Sequence, residues 1–165
     1  MTGSRVVIMD ACLLINLLLV DSTGLLSDLR RYEFGVTEMV RDEIRDEAQA
    51  AALTRLISEG AIRLFRIDDP ETIRDIEMLC EILGRGEASS IALACRDECV
   101  VGTDDGKAAS LIEDRLGPGH VLSTPGLLVE AIRSGLLTVT EADRIKSRLE
   151  EMRFRMTFDS FSGLV

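Results

Sequence analysis

Four consecutive apolar residues, Val6-Val7-Ile8-Met9, run straight into a carboxylate, Asp10, and then into a nearly all-apolar stretch from Ala11 to Leu19. A short apolar run bounded by polar residues reads as a strand buried on both faces, which is the environment of a parallel sheet covered by helices. Val6–Met9 is expected to be the central strand. In open α/β sheets, ligands gather at the carboxyl ends of the strands. Asp10 stands where this strand ends, so that edge is the first place to look for chemistry.

The rest of the chain repeats the alternation. Ala11–Leu19 reads as a buried helix with Asn16 as its one interior polar residue, and Leu25, Leu26 and Leu29 give a second short helix. Phe34–Thr37 reads as a strand leading into a helix over Glu38–Asp46, with Ala50–Ser58 continuing as helix up to Gly60. Ala61–Ile67 reads as a third strand. Asp69-Pro70 opens the next helix, the acid at the cap and the proline at the first turn. Gly84-Arg85-Gly86 breaks it, and a new helix is expected over Glu87–Asp97. Cys99–Thr103 is the fourth strand, Lys107–Leu116 a helix, Val121–Thr124 a fifth strand and Gly126–Arg133 a helix. Thr140-Glu141-Ala142-Asp143 resembles a capping box, and the helix behind it, in a C-terminal helical segment of about 140–155, is expected to bury Ala142, Ile145, Leu149 and Met152. The tail from Arg153 to Val165 reads either way. Strands alternating with helices imply an α/β fold, a three-layer α/β/α sandwich on a central, mainly parallel sheet. No linker, repeat or low-complexity segment divides residues 1–165, so one domain is expected.

Composition narrows the chemistry. Hydrophobic residues make up 46% of the 165 residues but aromatic ones only 4%, so the core is aliphatic. The net charge of −10, with a pI near 4.6, argues against a simple nucleic-acid coat, which needs a basic footprint. It does not exclude a nuclease, because bound metal ions supply positive charge locally. Cys12, Cys80, Cys95 and Cys99 have neither redox-motif nor disulfide-scaffold spacing and read as small buried hydrophobes. His120 is the single histidine, so no zinc ligand set is evident and no serine or cysteine triad competes. Four apolar residues between Arg5 and Asp10 are too few for a signal-peptide core, and no run approaches a membrane span; a cytoplasmic protein with no membrane partner is expected.

Acids then recur at telling positions. Two strand ends carry them: Asp10, and Asp104-Asp105 after the fourth strand. Parallel strands bring these ends to one edge of the sheet. Glu43 lies in the helix after the second strand, and Glu87 opens the helix behind the glycine break. Carboxylates crowded on one edge raise one another's pKa unless a cation neutralises them. An all-oxygen set suits Mg²⁺ or Mn²⁺, and such ions activate water and stabilise phosphodiester displacement. Gly84-Arg85-Gly86 is not a dinucleotide loop, since no strand precedes it and Ser89 takes the third glycine's place. Asp10-x-Cys12 is not the D-x-D of a haloacid-dehalogenase-type phosphatase.

These motifs resemble a PIN domain. The match rests on Asp10 in V-V-I-M-D-A-C-x-L-I, Val40-x-x-Glu43-Ile44, Leu83-Gly84-Arg85-Gly86-Glu87-Ala88 and Thr103-Asp104-Asp105. It is closest to a branch carrying L-G-x-G-E-A and D-D, ending in a helix like Gly126-Leu127-Leu128-x-x-Ala131-x-x-x-Gly135-Leu136. The resemblance spans roughly residues 5–155. It implies a Mg²⁺- or Mn²⁺-dependent ribonuclease acting on RNA, frequent homodimers, and toxins of the VapC kind restrained by an antitoxin protein. Residue by residue, Asp10, Glu43 and Glu87 resemble the first three family acids, and Asp104 and Asp105 fall in the fourth region, where T-x-D favours Asp105 without settling the choice. Asp10, Glu87, Asp104 and Asp105 are thereby the candidate metal ligands, with Glu43 joining them in catalysis. Asn16, Thr103, Arg85 and Lys107 are candidate supports or substrate contacts, and Arg41 and Arg45 further candidate phosphate holders. Two other readings stay open: a catalytically silent PIN-fold module that binds nucleic acid or protein, and a small-molecule phosphohydrolase.

Overall fold

Strand β1 (Arg5–Met9) lies at the centre of a five-stranded sheet because every residue from Val6 to Met9 is apolar and successive ones face opposite covering layers. Val7 and Met9 point into one aliphatic cluster with Leu13, Leu14, Leu17, Val36 and Leu127. Ile8 points into the other, with Ile76, Ile91, Leu93, Val101 and Ile112. A fully buried side chain of this kind contributes roughly 1.5–3 kcal/mol relative to exposure. The computed structural model describes residues 3–165.

The elements follow as α1 (Ala11–Leu19), α2 (Leu25–Asp28), β2 (Tyr32–Thr37), α3 (Glu38–Glu43), α4 (Glu47–Ser58), β3 (Arg63–Phe65), α5 (Pro70–Leu79), α6 (Arg85–Asp97), β4 (Val100–Gly102), α7 (Gly106–Leu116), β5 (Val121–Leu122), α8 (Thr124–Arg133) and α9 (Val139–Glu151). A 3₁₀ turn, Phe161–Gly163, closes the described chain. The sheet order is β3-β2-β1-β4-β5 and every pairing is parallel. Helices cover both faces, giving the expected three-layer α/β/α sandwich. The chain builds outward from β1 to β3 on one side, then returns to build β4 and β5 on the other. The order therefore reverses between β1 and β4, and the carboxyl ends of those two strands form the switch point at which such sheets bind ligands.

Several local expectations shift. α3 stops at Glu43, because Asp46 turns its side chain to the amide of Gln49 (2.9 Å) and caps α4 instead. Strand β3 shrinks to three residues. α6 starts two residues early, taking Arg85 and Gly86 into its first turn. The capping box of α9 is Thr138 with Glu141, not Thr140: the Thr138 hydroxyl accepts from the Glu141 amide (3.2 Å) and the Glu141 carboxylate accepts from the Thr138 amide (2.7 Å). Met152, expected in the core, is exposed beyond the end of α9, and so are Cys12 and Cys80, since the helical stripe turns each toward solvent. The tail folds back: Asp143 accepts from Ser160 Oγ (2.7 Å) and the Phe161 amide (2.9 Å), which buries the Phe161 ring completely. Among the described residues, no helix is long and apolar enough to cross a membrane.

Candidate active site

Asp10 leaves β1 and caps α1. Its Oδ1 accepts from the Leu13 amide (2.9 Å), while Oδ2 accepts from the Thr103 hydroxyl (2.6 Å) at the end of the adjacent β4. The parallel register that pairs Met9 with Gly102 sets these two residues side by side, and the Asp10 amide bonds Gly102 O at 2.8 Å. Asp10 is only 1% exposed. Burial, reinforced by repulsion from Asp104 and Glu87, pushes its carboxyl up to about 6, although the Leu13 amide and Thr103 hydroxyl pull the other way.

The neighbouring acids Asp104 and Asp105 separate into different settings. Asp104 turns toward the β5 side, where its Oδ1 accepts from the Thr124 amide (2.6 Å) and its Oδ2 from the Thr124 hydroxyl and Asn16 Nδ2 (3.1 Å). Burial raises its carboxyl above the ordinary range, and the Thr124 and Asn16 bonds offset this in part. Asp105 is exposed and caps α7 through the Ala108 amide (2.8 Å), while its own amide donates to Thr103 Oγ1 (3.1 Å). Thr103 thus ties Asp10 and Asp105 through one hydroxyl.

Glu87 lies in the first turn of α6 and reaches back to the Gly84 amide (3.3 Å). Burial raises its carboxyl, as does repulsion from Asp105 and Glu43; the Gly84 amide and Lys107 oppose the shift. Glu43 is held against the same helix start by the Gly86 amide (2.7 Å). A Cβ on Gly86 would sit 2.3 Å from Glu43 Oε2, so this glycine is the residue that lets the carboxylate dock on the helix. The N–H groups of a helix start favour an anion there.

The structure brings Asp10, Glu87, Asp104 and Asp105 to the switch point, with Glu43 adjoining Glu87. It does not bring every candidate cation there. Arg85 and Arg45 line a separate hollow with Met39, Asp42 and Glu43, and Arg41 pairs with Asp42 at the surface. Lys107 spends its ammonium on Ile82 O (3.0 Å) but stays near enough to Glu87 to lower its pKa. Among the described residues, no three His, Cys, Asp or Glu side chains converge to hold an ion as they stand. The donor set nonetheless fits a hard divalent cation. It is all oxygen, and three of its carboxyls are shifted up, with Lys107 opposing the shift only at Glu87.

A cleft of about 410 Å³ opens beside these acids, lined by Cys12, Ile15, Asn16, Glu87, Asp104, Asp105 and the segment Met152-Arg153-Phe154. Cys12 is therefore a wall of this cleft and not a core residue, and burial with the surrounding acids raises its thiol to about 11, so it stays protonated. Of this C-terminal segment the sequence singles out only Met152, and as a core residue rather than part of a site. A basic–aromatic–basic triplet, Arg153-Phe154-Arg155, in so acidic a chain is the signal that marks it.

A family model described as a PIN domain matches residues 6–161. The chain belongs to the PIN domain family. PIN domains are generally nucleases and typically use divalent metal ions, so a nuclease-type fold that binds nucleic acid is the family's setting for this acidic switch point. Comparison with curated proteins and with solved structures finds no match.

Proposed function

We propose that the protein is a Mg²⁺- or Mn²⁺-dependent ribonuclease that hydrolyses RNA phosphodiesters. The observation that carries this reading is the gathering of carboxylates at the β1/β4 switch point, where burial raises the pKa of Asp10, Glu87 and Asp104 and neighbouring acids add to the shift at Asp10 and Glu87. Asp10, Glu87, Asp104 and Asp105 would hold the ion. The ion would supply an activated water and neutralise charge on the phosphate under attack.

The chain's own groups prepare that site. Thr103 holds Asp10 by its Oδ2 and the Asp105 backbone by its amide, so both acids keep a set orientation. Thr124 and Asn16 orient Asp104. Glu43, docked on the Gly86 amide, fixes the start of α6 and with it Glu87. Asp104 spends both oxygens on hydrogen bonds and Asp105 only Oδ1, so Asp105 is the freer ligand and Asp104 the better-oriented one. In the same reading residues 1–165 act as one domain. A toxin role with an antitoxin partner, a homodimer and a cytoplasmic setting belong to it too, supported by the motif resemblance alone.

The test is cleavage of labelled single-stranded RNA in Mn²⁺, with and without chelator, alongside a calorimetric Mn²⁺ titration. Wild type is expected to bind Mn²⁺ and to cut only without chelator, and Asp10→Asn to lose both. A chain that binds no Mn²⁺ and cuts nothing selects the second reading, a catalytically silent PIN-fold module. That reading is favoured by the absence, among the described residues, of three converged ligands.

A further inference from the structure

The turn after α9 is built against the preference of its own sequence. Arg153 has φ +68°, in the left-handed region that glycine occupies without cost and other residues enter rarely. The turn is a Schellman-type closure: the Phe154 amide reaches Leu149 O (2.9 Å) and the Arg153 amide reaches Glu150 O (3.0 Å). Any residue would make these backbone bonds, and glycine would make them with the least strain. Asp21 and Glu98 also take a positive φ (+53° each) away from the cleft, so the strain by itself marks no site, and it is the place of Arg153 that sets it apart.

Arg153 and Phe154 line the cleft that also holds Glu87, Asp104 and Asp105. Among the described residues, Arg153 enters no ion pair, although acids are plentiful on this face. Phe154 is half-buried yet belongs to neither aliphatic core cluster, whereas Phe158 and Phe161 of the same tail are packed into one. An unpaired guanidinium next to an aromatic ring outside the core is the pairing that grips a single strand: a phosphate on the cation and an unstacked base on the ring. In a chain of net charge −10, it also supplies attraction at the cleft where the acids would otherwise repel the substrate.

We propose that Arg153 and Phe154 are the substrate-binding wall of the cleft, Arg153 taking a backbone phosphate of single-stranded RNA and Phe154 stacking on a neighbouring base. This rests on the nuclease reading for the identity of the substrate, but not on cleavage itself.

Stability and binding are predicted to part company. Arg153→Gly relieves the left-handed residue, so its thermal midpoint should equal or exceed that of wild type. Binding of a labelled single-stranded RNA of mixed sequence, read by anisotropy in Mg²⁺ on an Asp10→Asn background, should weaken about tenfold for every sequence tried. The slope of log affinity against log salt should become shallower by about 0.7, the signature of one lost phosphate contact on a single strand. Arg153→Asn, which also tolerates the left-handed turn, should show the same slope change and serves if the glycine chain folds poorly. Phe154→Ala should weaken binding about tenfold with the slope unchanged, and Phe154→Tyr should restore it. In the active protein, Arg153→Gly should raise KM far more than it lowers kcat. An Arg153→Gly chain that binds like its parent, or binds more weakly at an unaltered salt slope, overturns the proposal. If wild type cuts RNA and Arg153→Gly keeps its KM, this inference falls and the nuclease reading stands. If nothing is cut but the binding changes appear, the reverse holds.

Discussion

Asp10 and Asp69 do the same local job and live in opposite electrostatic worlds. Each caps a helix by accepting from the amide three residues on, Leu13 in one case and Thr72 in the other, both at 2.9 Å. Each also accepts from a threonine hydroxyl, Thr103 or Thr72. At Asp69 the Thr72 hydroxyl and amide, with the Arg96 guanidinium alongside, hold the carboxyl down at about 2. At Asp10, burial and the facing Asp104 and Glu87 overwhelm the same two bonds and push it up to about 6. The hydrogen bonds of a cap thus do not set the cost of its charge; what else faces it does. A compensated cap is finished when the chain folds. An uncompensated one keeps a charge that protonation or a bound cation would relieve.

The strongest way to break this comparison is to neutralise each cap in turn. Asn caps helices about as well as Asp, so Asp10→Asn and Asp69→Asn should both fold. Metal-dependent RNA cleavage should fall about 100-fold or more in Asp10→Asn, because the proposed ligand to the ion is lost, and should stay within about twofold of wild type in Asp69→Asn. Side-by-side initial rates at saturating Mn²⁺ check this. Equal losses in the two variants would mean that Asp10 is only a cap.

A second test moves the geometry of the acidic region and leaves its charge intact. Gly86→Ala places a methyl 2.3 Å from Glu43 Oε2, so Glu43 must leave the α6 amide and Glu87 loses its anchored helix start. Small displacements at reacting centres are expensive, and cleavage should drop about tenfold. Gly106→Ala, at the start of α7 with nothing within 4 Å of the added carbon, should cut at the wild-type rate. If the two alanine variants behave alike, the Glu43–Gly86 contact does not position Glu87.

How much of this was legible in the sequence follows the range of the interactions. β1 and its exit into Asp10 could be read because an apolar run and a following acid are local facts. The arrival of Asp104 and Asp105 beside it followed from parallel pairing alone. The division of labour between those two was not legible, because Asp104 is claimed by Thr124, twenty residues on and across the β5–α8 turn. Cys12 read as core because its neighbours are apolar; only the rotation of α1 turns it into the cleft. The cap of α9 was misplaced by two residues because Thr138 and Thr140 both precede acids, and the backbone decides between them. Arg153 carries only a faint mark in the sequence, the Arg153-Phe154-Arg155 triplet, because its stronger marks are a left-handed φ and a place on the cleft wall, neither written in residue type.

The gentlest test reads the comparison from stability. A carboxyl whose folded pKa lies above its unfolded value binds protons more tightly in the native state. Its contribution therefore grows as pH falls through the folded value and is lost as pH rises through it. For Asp10 the window runs from about 6 down to the ordinary 3.8. Glu87 and Asp104 are shifted in the same direction and add to it. Asp69 has the opposite sign: its contribution is complete above the ordinary value and disappears only as pH falls toward about 2. Between pH 7 and pH 5, then, the acidic switch point changes stability and the Asp69 cap does not. In chelator, the urea-unfolding free energy of wild type should rise by about 1 kcal/mol more over that interval than that of Asp10→Asn, while Asp69→Asn should track wild type. Mn²⁺ at pH 7 should stabilise wild type and Asp69→Asn but not Asp10→Asn, since an ion that binds only the folded state adds to its stability. Identical pH slopes for wild type and Asp10→Asn would show that the charge on Asp10 is already satisfied within the fold, and the contrast with Asp69 would vanish.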